Sequence, residues 1–349
     1  MSNVIPIGLP RRPNLAQRQA MLVESFARHR RGTDDVFWLK ENAELLSILA
    51  AAQATLPTQC LDVYRPFYEG LEERLRFFPQ YYRFLLSICL DLEDLGLKGD
   101  KGSSLCEHVA RSGLVEAELS DLQRAEAAHL LSRRSDHAMD ASLSGRLAAF
   151  CRRSRTFAVP NKKAAYELTH IVFYDTQYGR KQRQVDRQTV TSLEYAGLLA
   201  FLDQDIDLLS EVCVALRLIG ITPSSTWEDW LAMEMQGFAI VAAADGPVSD
   251  AYHEYIVTSW WAHVAGMSGF AGKPCQHGMK IVRCAASKGA LRAMSEVMYQ
   301  LGPARSSDWH QMRHILQRSL DPEQHVILEG AAQSSDRFDA FFERFARAH

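Results

Sequence analysis

The most informative polar residues of this chain lie on helical segments that are otherwise apolar. The segment 162–178 places Glu167, His170 and Tyr174 three and four residues apart, and Tyr178 follows one turn later. That spacing puts the side chains on one face of a helix. A histidine beside a carboxylate in a water-poor pocket can have its pKa moved towards the working pH, as general acid–base catalysis requires. We therefore predict that His170 is a catalytic acid or base.

Other apolar segments carry isolated polar or aromatic residues in the same way. An unpaired charge is costly to bury, so each of these residues requires a partner, water or a ligand. We expect them to face one central cavity, in which carboxylates orient the histidine or bind a metal and the other groups contact substrate. The predicted catalytic residues are His170, Glu167, Asp91 and Glu211, and the predicted substrate-binding residues are Arg83, Tyr174, His253 and Trp260, with Trp261 beside Trp260 as part of an apolar wall.

The same residues also have an ordinary structural interpretation. Glu167 and His170 are close enough on one helix to pair with each other, and Asp91 and Arg83 can find partners between helices. Convergence of Arg83, Asp91, His170 and Glu211 in one cavity would favour catalysis. Separate positions at helix interfaces would favour the structural interpretation.

Metal binding is a second chemistry that these residue types allow, and a divalent metal is the candidate cofactor. Two carboxylates and an imidazole can hold a divalent cation with open positions. The segment GKPCQHGMK, with Cys275 and His277, is similar to the Cys-His-Gly zinc motif of toroidal lanthionine cyclases, with one residue inserted. A closed zinc site needs four ligands, and no second Cys motif lies upstream at a helix end. Cys213 or His253 would have to complete such a site.

The acidic segment LDQDIDLLSE has a simpler interpretation. Its alternating Asp203, Asp205 and Asp207 lack the Gly and the final Glu of a calcium-binding loop. Because Asp205 follows one helix and precedes another, it is predicted to be a helix cap.

Helical periodicity dominates the elements that carry these residues. No run of alternating β-branched residues bounded by turns indicates a strand. Four strongly apolar helices end at Gly96, Gly179, Gly220 and Gly302, which are separated by 83, 41 and 82 residues. A period of about 41 residues corresponds to two helices and two loops. The chain is therefore predicted to be an all-α array of helical hairpins.

Such an array can close into an α/α toroid or remain an open α-solenoid. The Gly-terminated helices are more apolar than their partners, as helices buried on both sides should be, which favours the toroid. The two missing steps of the period are filled by the region 120–135 and by the helix that ends at Gly266. Residues 1–13 are predicted to be a flexible arm and residues 14–349 a single α-helical hairpin domain.

Composition disfavours several classes of protein. The 39 Lys and Arg nearly balance 42 Asp and Glu, so no nucleic-acid partner is expected. No apolar run reaches the ~20 residues that span a bilayer, so no membrane partner is expected either. Seven cysteines without a CxxC pair favour reduced thiols and a cytoplasmic location. The sequence also lacks the GxxxxGK[ST], GxGxxG, HExxH and GxSxG motifs.

Four segments together resemble an uncharacterised family of all-α bacterial proteins. They are FWLKENAELLSIL (37–49), FPQYYRFLLSICLDLEDLG (78–96), ELTHIVFYDTQYG (167–179) and AGLLAFLDQDIDLLSEVCVALRLIG (196–220). The resemblance extends to about residue 235 and implies one shared architecture without an assigned activity. Similarity to α/α-toroid enzymes is distant.

These observations predict an enzyme that acts on a small molecule or modified peptide in a central cavity. The expected chemistry is acid–base or metal-assisted, of a lyase, cyclase or hydrolase type. The alternative is a non-catalytic helical-repeat protein that binds a peptide or protein partner. The sequence favours no particular oligomeric state.

Overall fold

A computed structural model describes residues 13–135, 139–242, 250–270, 278–284 and 288–348. Residues 1–12 of the predicted arm lie outside these ranges, and so do Cys275 and His277 of the candidate zinc motif.

Helices make up most of the described residues, which confirms the all-α prediction. They are α1 Leu15–Ser25, α2 Val36–Ala51, α3 Arg65–Glu69, α4 Leu71–Phe77, α5 Tyr82–Asp94, α6 Lys101–Arg111, α7 Asp121–Ser132, α8 Ala141–Cys151, α9 Ser154–Phe157, α10 Lys162–Asp175, α11 Arg187–Asp203, α12 Ile206–Leu218, α13 Ser225–Glu234, α14 Tyr252–Val264, α15 Leu291–Leu301, α16 Trp309–Ser319, α17 Pro322–Gln333 and α18 Phe338–Ala346.

Capping residues define where these helices begin and end. The predicted cap at Asp205 is confirmed, because its side chain accepts a hydrogen bond from the backbone N–H of Leu208 at 3.1 Å. The glycines at the predicted helix ends have a positive φ, as at Gly220 with φ +81°. A residue with a Cβ adopts this conformation only with strain, which is why glycine is common just after a helix.

Two strands and one helix differ from the sequence-based expectation. Helix α13 ends at Glu234, and strand β1 Phe238–Ala242 pairs antiparallel with β2 Met279–Arg283, with Ile240 opposite Ile281, although no strand is predicted from the sequence. Each strand has only five residues and its partner is distant in sequence, so neither produces a clear alternating pattern. Helix α17 was not predicted, although Asp321 caps it and Pro322 occupies its first position.

Six helices contact one another in a closed cycle. Each packs against the next in the order α2, α5, α7, α10, α12 and α14, and α14 packs against α2. Helix α12 is buried around its whole circumference, since every residue from Leu208 to Leu216 is buried, including Ser210 and Glu211. Burial on all faces is expected for a helix with neighbours on every side.

Several of the remaining helices pack against these six. Helix α6 contacts α5 and α7, α8 contacts α7 and α10, α11 contacts α10 and α12, and α13 contacts α12. Helix α15, which ends at Gly302, contacts α11 and α16 and does not belong to the cycle. The glycine stop therefore does not by itself identify the helices of the cycle. Within the described ranges, no helix is long and apolar enough to cross a membrane.

Candidate functional site

A cavity of about 320 Å³ lies among the six helices of the cycle. Every one of these helices contributes side chains to its lining. The polar and ionisable lining residues are Lys40, Glu44 and Ser47 from α2, Arg83 and Ser87 from α5, Gln123 and Glu126 from α7, His170 and Tyr174 from α10, Glu211 from α12, His253 from α14, and Tyr178, which follows α10.

The cavity brings together most of the site residues predicted from the sequence. Those that line it are Arg83, His170, Tyr174, Glu211, His253 and Trp260. Asp91 and Glu167 are not among the lining residues. Trp261 is fully buried behind Trp260, and its Nε1 donates to Glu228 at 3.1 Å, so it does not form part of the wall.

Asp91 is the buried member of an ionic cluster that does not line the cavity. Its carboxylate lies 2.8 Å from Nη2 of Arg133, which also lies 2.8 Å from Asp94. Burial raises the pKa of Asp91, although the charge and hydrogen bond of Arg133 act in the opposite direction. Asp91 reaches the cavity only through Ser87, whose hydroxyl lies 3.0 Å from it. The structural interpretation therefore fits Asp91, with Arg133 as its partner.

Glu167 lies on the outer side of the same helix. Its nearest charged neighbour is Lys163, one turn earlier, at 4.0 Å. His170 instead faces a carboxylate of another helix, so the pair expected within α10 is replaced by a pair between helices. The three-residue spacing of Glu167 and His170 corresponds to about 300° around a helix and leaves room for this divergence.

His170 and Glu211 form the central ionisable pair of the cavity. Nε2 of His170 lies 3.6 Å from Oε1 of Glu211, whose other oxygen accepts a hydrogen bond from Thr169 at 2.5 Å. Burial lowers the pKa of His170, but the charge and hydrogen bonding of Glu211 outweigh it, so the pKa is raised above its ordinary value. The arrangement favours the protonated form of His170, while part of its ring stays accessible from the cavity.

A second histidine is held more tightly by a second carboxylate. Nδ1 of His253 lies 2.8 Å from Asp207, whose other oxygen accepts a hydrogen bond from the hydroxyl of Tyr166 at 2.8 Å. Burial opposes the charged histidine, yet the bond to Asp207 and its charge raise the pKa of His253 to about 9. His253 is therefore a cation at neutral pH.

Asp207 and Tyr166 were not predicted as site residues, although the sequence contains a pattern that would identify them. Tyr166 lies one turn before His170 on α10, and Asp207 lies one turn before Glu211 on α12. Two residues one turn apart share a helix face, so the two faces meet as Tyr166 with Asp207 and His170 with Glu211.

The cavity lining holds two further cations, each already paired. Arg83 donates from Nε to Glu118 at 2.9 Å and from Nη1 to Glu126. Lys40 lies 3.5 Å from Glu44, which also accepts a hydrogen bond from Tyr252 at 2.8 Å. Arg83 thus faces the cavity as predicted, with its guanidinium held by two carboxylates.

Aromatic rings form a continuous wall on one side of the cavity. Tyr178 has its ring centroid 5.7 Å from that of Trp260 and 6.2 Å from that of Tyr174, and Phe173 lies 4.9 Å from Trp260. Gln177 and Tyr178 both have positive φ, near +50° and +54°. Two adjacent non-glycine residues in this conformation are unusual and strained, and such strain is concentrated at functional sites.

His129 supports this wall from behind. Its ring stacks on Tyr174 with centroids 5.8 Å apart and lies 5.3 Å from Tyr178. Burial lowers the pKa of His129 to about 3, with the nearby arginines contributing in the same direction. His129 is therefore neutral at working pH and acts as an aromatic packing residue.

No three His, Cys, Asp or Glu side chains gather as a metal site in the described parts of the chain. Cys213, one of the two residues proposed to complete a zinc site, is completely buried in the core, and burial raises its pKa far above the ordinary value. His253, the other, is committed to Asp207.

The chain belongs to the family described as "Domain of unknown function (DUF6902)", which matches residues 1–348. This confirms the expected membership of an uncharacterised family. The chain has no significant match among curated proteins and none among solved structures.

Proposed function

Since the family's description leaves the function open, we propose that the chain is an enzyme with an α/α-toroid fold. Its active site is the cavity at the centre of the six-helix cycle, and its substrate is a small molecule or the end of a modified peptide. The observation that carries the proposal is the placement of the His170–Glu211 pair in a cavity to which all six helices contribute.

Two features support closure of the array. The contact between α14 and α2 joins the last helix of the cycle to the first, whereas the ends of an open solenoid do not meet. The all-round burial of α12 also fits an inner ring that is covered by outer helices.

Proton transfer is the chemistry that the lining favours. His170 donates a proton to the reacting group of the ligand, and Glu211 stabilises the imidazolium before transfer. The neutral imidazole that results can accept a proton in the second half of the reaction, which restores the starting state. A positioned acid or base of this kind contributes roughly 10²–10⁴-fold to a rate.

The other charged groups orient the ligand. His253 is fixed by Asp207 and remains cationic, and Lys40 is fixed by Glu44. A cavity of about 320 Å³ admits a compact ligand and no folded partner. This size supports a small-molecule substrate over the alternative of a protein-binding repeat.

The proposal can be tested by incubating purified protein with a small-molecule extract and following the mixture by mass spectrometry. We expect the wild-type protein to consume at least one compound and His170→Gln to do so at least about 100-fold more slowly. Glu167→Gln is the matched control, because Glu167 lies on the same helix outside the cavity. It should retain the wild-type rate.

Two outcomes would overturn the proposal. One is a wild-type protein that consumes no compound across extracts of different origin. The other is a His170→Gln variant that is folded, as judged by circular dichroism and thermal melting, and is as active as the wild type.

A further inference from the structure

Around the cavity, one cation pairs with two carboxylates, so one negative charge has no countercharge of its own. The cations that line the cavity each contact a carboxylate: Lys40 contacts Glu44, His170 contacts Glu211, and His253 contacts Asp207. Arg83 contacts two carboxylates, Glu118 and Glu126. Every cation in the lining is therefore neutralised, and the Arg83 group carries one negative charge in excess.

Glu126 is the member of that group that faces the cavity. It lines the cavity and keeps part of its side chain accessible, whereas Glu118 lies outside the lining. Only its Oε2 contacts Arg83, and Oε1 has no hydrogen bond or ion pair to another described residue. This oxygen is available to a ligand.

The aromatic wall and Glu126 line the same cavity. Burial raises the pKa of Tyr174 and of Tyr178, and the charge of Glu126 is the next contribution for both hydroxyls. Trp260 completes the wall, and its Nε1 is buried without an acceptor in the described part of the chain. The indole packs against Phe173 and Tyr178 and borders the cavity.

We propose that the cavity binds a small organic ammonium ion, with its charge between Glu126 and the rings of Tyr174, Tyr178 and Trp260. This inference names the substrate class of the proposed active site and so rests on the proposed function. A cation over aromatic faces is stabilised by the ring quadrupoles, and a nearby carboxylate adds a charge-assisted hydrogen bond to a protonated amine. An anionic ligand would meet the excess carboxylate and is disfavoured.

Isothermal titration calorimetry with three probes of similar shape tests the charge preference. The probes are benzylammonium, benzyl alcohol and benzoate, all small enough for a cavity of about 320 Å³. We expect benzylammonium to bind at least about tenfold more tightly than benzyl alcohol, and benzoate more weakly than either. Equal binding of all three probes, preferred binding of benzoate, or no binding of any probe would overturn the proposal.

Variants of the two Arg83 partners localise the effect. Glu126→Gln should reduce benzylammonium affinity by at least about tenfold and leave benzyl alcohol binding within about twofold. Glu118→Gln is the matched control, because it removes the other partner of Arg83 but lies outside the lining, and it should keep the preference for benzylammonium. If both variants lose the preference equally, Glu126 is not the ligand's partner.

A variant of the wall provides a second test that leaves every charge in place. Trp260→Leu should narrow the difference between benzylammonium and benzyl alcohol, since the cation–π contribution is lost for the charged probe only. An unchanged difference would exclude the aromatic wall from the cation site.

Titration of His170→Gln separates this inference from the proposed function. Benzylammonium should bind this variant, because His170 is not part of the ammonium site. Binding to both proteins without any turnover by the wild type would contradict the enzyme and keep the ammonium site. Turnover of neutral or anionic compounds only would contradict the ammonium site and support the enzyme.

Discussion

Two groups of buried charges in this protein look alike in sequence and differ in what they can do. In the Asp91–Arg133–Asp94 cluster, Asp91 is buried, and Arg133 contacts both carboxylates at 2.8 Å. The His170–Glu211 pair is looser, at 3.6 Å, and its histidine borders a cavity. A buried charge that is paired with close countercharges stabilises the fold, whereas a charge beside an accessible volume can act on a ligand. Access to space, and not burial of charge, distinguishes the two groups.

The largest expected effect is a loss of stability when the Asp91–Arg133–Asp94 cluster is disrupted. Arg133→Met should lower the free energy of unfolding by about 3–5 kcal/mol, because it leaves Asp91 buried without a countercharge. Urea denaturation followed by circular dichroism measures this change. Arg111→Met is the control, since Arg111 forms an exposed pair with Glu107 and its removal should have a much smaller effect. An equal decrease in the free energy of unfolding for the two variants would show that the cluster contributes no more to stability than an exposed ion pair.

The stability of the protein is expected to depend on pH through His253, which lines the cavity. The folded-state pKa of His253 is about 9, above the ordinary value of 6.5, so folding favours the protonated form. Its stabilisation is complete below pH ~6.5 and is lost as the pH rises through 9. The contribution is about 3 kcal/mol. Unfolding measurements between pH 6 and about 9.5 should show this decline in the wild type.

Asp207→Asn provides the control for that titration. Removing the charge that holds the proton on His253 should flatten the pH dependence over the same interval. A slope that is the same in the wild type and the variant would assign the decline to other groups.

The smallest expected effects concern backbone strain. Gly220→Ala should cost about 1–2 kcal/mol, because φ is +81° and the added Cβ meets no atom within 4 Å, which isolates the backbone contribution. Gln177→Gly should raise stability by up to about 1 kcal/mol, because it relieves a strained residue beside the cavity. Thermal unfolding of both variants tests the pair. A loss of stability in Gln177→Gly would show that its side chain contributes more than its backbone costs.

Helix periodicity in the sequence was sufficient to predict the fold class and much of the site. Apolar steps of three and four located α10 and α12, and solitary polar residues on such helices led to His170, Glu211, Arg83 and His253. These predictions rest on a physical regularity, because a polar residue on a buried helix must face either a partner or a cavity.

Partners from other helices were beyond sequence reasoning. Asp91 and Glu167 met the same criteria as His170. The residue spacing within one helix, however, does not show that Arg133 of another helix pairs with Asp91, nor that Glu167 points away from the cavity. Glu126 is not predicted because the apolar periodicity of α7 is less regular than that of α10 and α12. The strands β1 and β2 escaped for a similar reason, since each is stabilised by a partner distant in sequence.

We expect the His170–Glu211 pair to take part in chemistry and the Asp91–Arg133–Asp94 cluster to have a structural role only. The most direct test of this expectation is the rate of compound consumption by His170→Gln and Asp91→Asn, measured side by side at equal concentrations of folded protein. The account predicts that Asp91→Asn retains the wild-type rate within about threefold, while His170→Gln loses at least about 100-fold. A folded Asp91→Asn variant that is inactive, together with an active His170→Gln variant, would contradict it.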